Sequence, residues 1–273
     1  MFGKYLDNLK EKGVLIHNIT NYVTVNDVAN VLLASGASPV MADELEDAVE
    51  ITAISKGLNI NIGTLNNRTI KTMFAAGEKA NELSHIVALD AVGVGASSLR
   101  TKTAIELIKK IKFDVIKGNI SEIKTLITDS ATTCGVDANK KDIISEENIH
   151  EKIKFIKKFA KELKTIIVVT GKIDIITDGE KTYLVRNGRA QMSKVTGTGC
   201  QLSALLTAFL VTNLENKLEA AVSAVITMGI AGEIGWENME KTDGNSTYRN
   251  RIIDAIYNMD GRIIDSREKV ERK

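Results

Sequence analysis

The sequence predicts an α/β protein with a largely parallel central sheet flanked by helices. Short β-branched runs alternate with longer stretches of helical periodicity across most of the chain. In such an alternation each strand returns to the sheet through a right-handed crossover, which makes its neighbours parallel. Polar residues and glycines stand where the strand runs end, and ligands gather at the carboxyl ends of strands in such sheets. No repeat, low-complexity tract or Gly/Ser/Pro-rich linker interrupts the pattern. Residues 1–273 are therefore expected to form one domain.

The elements follow in order. Val14 to Ile19 reads as a strand, and Val23 to Leu33 as a helix with Val25, Val28, Ala29 and Leu32 on one face. Pro39 to Met41 is a short strand after the Gly36-Ala37-Ser38 turn, and Asp43 to Ile54 is an acidic helix. Leu58 to Ile62 and His85 to Leu89 are strands separated by a helix over Arg68 to Leu83. Ser98 to Lys110 is helical, Val115-Ile116 is a strand, and Ser121 to Leu126 opens the next helix. Glu147 to Leu163 is an amphipathic helix, and Thr165 to Val169 is the most apolar β-branched run. Asp174 to Thr177 and Thr182 to Val185 form a hairpin around Asp178-Gly179. Leu202 to Asn213, Lys217 to Gly235 and Asn250 to Asn258 are helices.

Composition narrows the function. The net charge of +1 offers no basic surplus for nucleic acid, and the aromatic fraction of 4% is too small for a base-stacking platform. The two cysteines, Cys134 and Cys200, have no metal-ligand spacing. The charged segment Met1 to Gly13 lacks the apolar core of a signal peptide, so the expected compartment is the cytoplasm. Leu202 to Leu210 is the longest apolar-rich stretch and is too short for a bilayer, so no membrane role is expected. The acidic run Asp43 to Glu50 and the lysine-rich face of 152–164 read as solvated helix faces.

Several strand ends carry candidate chemistry. Thr196-Gly197-Thr198-Gly199-Cys200 precedes a helix, so its amides and the helix dipole suit a transferring phosphoryl group; a tight turn with an inert cysteine fits the same residues. The loop lacks the P-loop spacing. Cys200, at the helix start, reads as nucleophile, weak base or packed small residue. Asp90, before Gly93-Val94-Gly95, reads as a magnesium carboxylate or a turn cap. Glu122 reads as a second carboxylate of that site or a first-turn helix acid. Thr170-Gly171 offers a hydroxyl and open backbone to a phosphate or ribose, or simply turns the chain. Asn21 binds a ligand heteroatom or caps a helix, and Met41 packs on a flat ring or in the core. Gly93-Val94-Gly95 lacks the third glycine of a dinucleotide fingerprint.

The ordered set His17 to Asn21, Gly36 to Ala42, Asn61 to Leu65, Gly93 to Ala96, Gly118 to Glu122 and Val195 to Cys200 resembles the hydroxyethylthiazole kinases of thiamine salvage. The resemblance spans about residues 14–258. It implies a ribokinase-like fold, and phosphorylation of 4-methyl-5-(2-hydroxyethyl)thiazole by ATP with Mg2+. It also implies a homotrimer with active sites between subunits. By motif match, Met41, Gly197 and Asn21 would contact the thiazole alcohol, and Lys117 and Thr170 would contact ATP. Asp90 and Glu122 would organise magnesium; Gly197, Thr198, Gly199 and Cys200 would form the anion hole, with Cys200 at the reacting hydroxyl. Related sugar kinases place an aspartate where Cys200 stands.

This chain departs from that pattern at three places. Ala91 follows Asp90 where the family has proline, Lys117 stands where arginine is frequent, and Gly244 to Tyr248 replaces a Gly-Pro-Gly-Ser-Phe segment. Lysine keeps the charge but loses the bidentate fork. The rival expectations are a kinase of another small alcohol, such as a hydroxymethylpyrimidine, and a thiazole-binding protein without catalysis.

Overall fold

The computed structural model describes residues 1–130 and 148–273. Cys134 and the helix start expected at Glu147 lie outside them. Among the described residues nine strands form one sheet, in the order β2-β1-β3-β4-β5-β6-β7-β8-β9. They are β1 (Leu15–Ile19), β2 (Ser38–Met41), β3 (Gly57–Asn61), β4 (Ile86–Asp90), β5 (Val115–Asn119), β6 (Ile166–Thr170), β7 (Asp174–Thr177), β8 (Thr182–Val185) and β9 (Val270–Arg272). Strands β1 to β6 pair in parallel. The β7–β8 hairpin and β9 extend that sheet antiparallel. The parallel strands β3 and β4 are buried along their whole lengths, as strands covered on both faces must be.

Helices α1 (Lys4–Lys12), α2 (Val25–Ala34), α8 (Thr198–Thr212), α9 (Lys217–Glu237), α10 (Asn245–Asn258) and α11 (Gly261–Arg267) cover one face. Helices α4 (Asn67–Glu82), α5 (Ser98–Lys110), α6 (Ile120–Ser130) and α7 (Ile149–Leu163) cover the other, and α3 (Leu45–Ile54) packs on α4. Local chemistry fixes several starts. The Asn66 side chain accepts from the amides of Arg68 and Thr69, and the Thr69 hydroxyl answers the Asn66 amide, a reciprocal cap on α4. Ser97 caps α5 through the Arg100 amide.

Several elements depart from the sequence reading. The charged N-terminal segment is helix α1, which buries Tyr5, Leu6 and Leu9 against the core. Helix α11 and strand β9 close the C-terminal end. The longest apolar stretch is not Leu202 to Leu210: the 24-residue span Leu214–Glu237 is long and apolar enough to cross a membrane, and here it lies almost wholly inside the fold. An apolar helix of this kind is apolar all round because it is surrounded, not because it meets lipid.

Helix α8 sets the site. A side chain at Gly57, the first residue of β3, would strike Thr207 and Val211 near the end of α8. At the other end, Ser203 bonds Asp90, the last residue of β4. The helix therefore runs antiparallel to these strands, and its positive end lies over their carboxyl ends.

Candidate active site

The loop into α8 turns at Gly197, whose φ of 90° is left-handed. A Cβ there would also stand 2.5 Å from Thr24 Cγ2. No side chain caps the start of α8, which leaves the amides of Thr198, Gly199 and Cys200 for an anion. Gly199 lies over Lys117: a Cβ at Gly199 would be 2.9 Å from Lys117 Nζ. The glycines thus bring an amide cluster and a buried ammonium close together.

Asn21 and Asn61 connect that loop to Asp90. Asn21 Oδ1 accepts from the amides of Val23 and Thr24, at 3.1 and 3.2 Å, and from Thr24 Oγ1. Backbone donors therefore fix which way the Asn21 amide faces. Its Nδ2 then donates to Asn61 Oδ1 at 3.0 Å and to Cys200 Sγ at 3.2 Å. Asn61 Oδ1 also accepts the Gly63 amide, and Asn61 Nδ2 donates to Asp90 Oδ2 at 2.9 Å. The Cys200 sulfur is consequently an acceptor, and any proton it carries points away from Asn21.

Asp90 is fully buried, and both its oxygens are engaged. Ser203 Oγ donates to Oδ2 at 2.6 Å, and Lys117 Nζ pairs with Oδ1 at 3.1 Å. Burial by itself lowers the Lys117 pKa; Asp90 above all, then Cys200 and Glu122, reverse that and hold it above its ordinary value. Lys117 is therefore a charged group whose removal would strand a buried carboxylate.

Glu122 lies one strand further on, in the first turn of α6. Its Oε2 accepts the Asn119 amide at 2.7 Å while Asn119 Oδ1 accepts the Glu122 amide at 2.9 Å, a reciprocal cap that sets Glu122 as an acid in the first turn of α6. Its Oε1 accepts the Gly93 amide at 2.8 Å, which ties it to the loop after Asp90. Both the cap and the tie to the Asp90 loop are present in one carboxylate.

Met41 ends β2 and is partly buried against the core on the α8 face. Thr170 ends β6, beside Asn119, with its hydroxyl 3.4 Å from the Gly118 carbonyl. Five strand steps separate Met41 from Thr170, roughly 24 Å at about 4.8 Å each. The structure thus brings Asn21, Cys200, Gly199, Lys117 and Asp90 together, ties Glu122 to the loop after Asp90, and sets Met41 and Thr170 at the two flanks.

Two members of this cluster carry no role in the sequence reading. In the sequence Asn61 is one residue of the Asn61 to Leu65 motif, and Ser203 is one residue of a helix. Asn61 ends β3 in register with Asp90; an asparagine in a strand of leucine and isoleucine needs a buried partner, and that was the available signal. Ser203 had none, because its partner is 113 positions away.

Asp90 and Glu122 supply only oxygen donors, which suits a hard cation such as Mg2+. Among the described residues no group of three or more His, Cys, Asp or Glu could hold a metal. Both carboxylates are already bonded and Asp90 has no exposed surface, so the residues present suit Mg2+ held through water and phosphate rather than by direct coordination to Asp90.

A sequence profile of the Hydroxyethylthiazole kinase family matches residues 6–262. The chain is 51% identical over 271 residues to a hydroxyethylthiazole kinase of Clostridium acetobutylicum, covering 99% of each. The solved structure of a hydroxyethylthiazole kinase from Pyrococcus horikoshii OT3 superposes with a TM-score of 0.87 at 35% identity, over 100% of this chain and 98% of that one. A ribokinase-like superfamily protein of Enterococcus faecalis V583 shares the fold, with a TM-score of 0.62 at 12% identity over 92% and 88% of the two chains. In fold, in motif order and over nearly its whole length, the chain belongs to the hydroxyethylthiazole kinase family.

Proposed function

We propose that the protein transfers the γ-phosphoryl group of ATP to the hydroxyethyl oxygen of 4-methyl-5-(2-hydroxyethyl)thiazole. The observation that carries this reading is the uncapped start of α8, held against the Lys117–Asp90 pair by two glycines, with Cys200 bonded by Asn21. The alcohol oxygen forms the new P–O bond, the β,γ-bridging P–O bond breaks, and ADP leaves. The hydroxyl proton passes to Cys200 or to solvent. Phosphoryl transfer depends mainly on positioning and charge neutralisation. The amides of Thr198, Gly199 and Cys200 take the developing charge, with Lys117 beneath them. Mg2+, held through Asp90 and Glu122, would neutralise phosphate oxygens.

Met41, Gly197 and Asn21 are assigned to the thiazole side and Thr170 to the nucleotide side. Lys117 is assigned to ATP through its charge, because it is buried and already paired. The assembly is taken as a homotrimer with sites between subunits. Tyr22 and Val23, directly after Asn21, are 79% and 58% exposed, an apolar rim beside the site that a second subunit would cover.

The test is ADP release with the thiazole alcohol, with and without Mg2+, beside a panel including hydroxymethylpyrimidine and pyridoxal. Release is expected to require the thiazole alcohol and Mg2+. Faster turnover of another alcohol, or thiazole binding without ADP release, overturns the assignment.

A further inference from the structure

His17 opens the His17 to Asn21 motif, of which the proposed chemistry uses Asn21 but not the histidine. It lies inside β1, is fully buried, and uses both ring nitrogens. Nδ1 is 2.8 Å from Thr52 Oγ1 on α3, and Nε2 is 2.8 Å from the Ala42 carbonyl. A carbonyl only accepts, so Nε2 carries a proton. An apolar residue would occupy this strand position at no desolvation cost, so the buried ring depends on its two bonds to offset that cost.

The bond to Ala42 falls at a particular place. Strand β2 is an edge strand with β1 as its one neighbour, and the β1–β2 register ends at Asn18 opposite Met41. Ala42 is the next residue, where ladder bonds stop. The following residues are held from the other side: Thr72 Oγ1 donates to the Asp43 carbonyl at 3.0 Å, and Arg68 pairs with Asp43 and Glu44. Those two ion pairs are half exposed and therefore weak. The His17 bond is the buried tie adjoining Met41.

We propose that His17 is a positioning residue for the thiazole site: its Nε2–H holds the Ala42 carbonyl and so fixes Met41 at the end of β2, with Nδ1 beside the Thr52 hydroxyl that also reaches the Ala48 carbonyl. This rests on the assignment of Met41 to the thiazole. The ring acts through one donor, at Nε2, and side-chain amides can test that. Glutamine places its amide nitrogen near the Nε2 position, whereas asparagine reaches only the Nδ1 position.

The experiment compares wild type, His17→Gln and His17→Asn by steady-state ADP release, with melting temperatures and with 15N spectra of the wild-type ring. His17→Gln is expected to keep the KM for the thiazole alcohol within about 2-fold. His17→Asn is expected to raise it by about 10-fold while kcat and the KM for ATP move less than about 3-fold. The wild-type spectrum is expected to show a proton on Nε2. Equal shifts in both variants, a KM for ATP that rises with that for the alcohol, or a ring protonated on Nδ1 alone overturns the proposal. If a variant fails to fold, a ring protonated on Nδ1 alone still overturns the proposal, and the KM of the folded variant tests the positioning. A wild type that releases no ADP with the thiazole alcohol refutes the functional assignment instead, and the spectrum then reports on the His17–Ala42 tie by itself.

Discussion

Cys200 and Glu122 are held in different ways, and the difference predicts how each tolerates change. Cys200 Sγ takes one bond from Asn21 Nδ2, and a serine hydroxyl can accept the same bond. Glu122 takes two backbone amides, one on each oxygen. Glutamine can answer only one of them and presents its NH2 to the other, which loosens the loop after Asp90 as well as removing a charge. Cys200→Ser is therefore expected to stay within about 10-fold of wild-type kcat, and Glu122→Gln to lose more than about 100-fold. Steady-state kinetics on folded variants checks the order. The reverse ranking would show that proton removal by Cys200 outweighs charge stabilisation. The sequence made Cys200, Asp90 and Glu122 visible because each sits in a short motif at a strand end. It hid Asn61 and Ser203, whose meaning lies in contacts to Asp90 from 29 and 113 positions away.

At the scale of elements, the start of α8 is matched to β5 through a single glycine. Alanine at Gly199 places a methyl group 2.9 Å from Lys117 Nζ. The ammonium is the flexible end of a long side chain, so the fold can yield. The Lys117–Asp90 pair cannot yield without exposing a buried charge. Gly199→Ala is expected to lower kcat by at least about 10-fold with a stability loss near 1 kcal/mol. Gly197→Ala meets Thr24 in a left-handed conformation and is expected to be the less stable of the two, by at least about 1 kcal/mol. Denaturation and kinetics on both variants separate these effects; equal stability losses would refute the distinction. The same helix shows where periodicity stops being informative. Periodicity places its first residue at Leu202 and the loop motif places it at Cys200, yet it begins at Thr198, because the glycine-rich first turn hides a helix whose position tertiary packing decides. Helix α1 was hidden by its charges, which occupy the solvent side of a helix burying Tyr5, Leu6 and Leu9. Strand β9 is three residues long and exists through its pairing with β8.

Across the whole molecule, two titratable groups on distant strands shape stability against pH in opposite senses. His17, in β1, is held below its ordinary value chiefly by burial, against the Ala42 carbonyl bond and the nearby Asp47. The unfolded chain binds that proton more readily, so this contribution is present above about 6.5 and is lost as pH falls through the folded value. Asp174, only partly buried at the start of β7 but crowded by protein, is pushed up from 3.8 towards about 7 by desolvation, although the Gly171 amide and then Lys117 pull it down and its partial exposure moderates the rise. Here the folded chain binds the proton more readily. The contribution is complete below 3.8 and is lost as pH rises through about 7. Asparagine at position 174 keeps an oxygen for the Gly171 amide, 2.8 Å away, and never has to ionise. Asp174→Asn is therefore expected to raise the melting temperature by an amount that grows from pH 4 to pH 7 and then levels off. His17→Gln, in the same series, is expected to flatten the decline between pH 7 and pH 5. Melting curves of wild type and both variants in buffers from pH 4 to pH 8 measure the two slopes separately. A gain in Asp174→Asn that does not change with pH would mean that the carboxylate ionises as easily in the fold as in the unfolded chain.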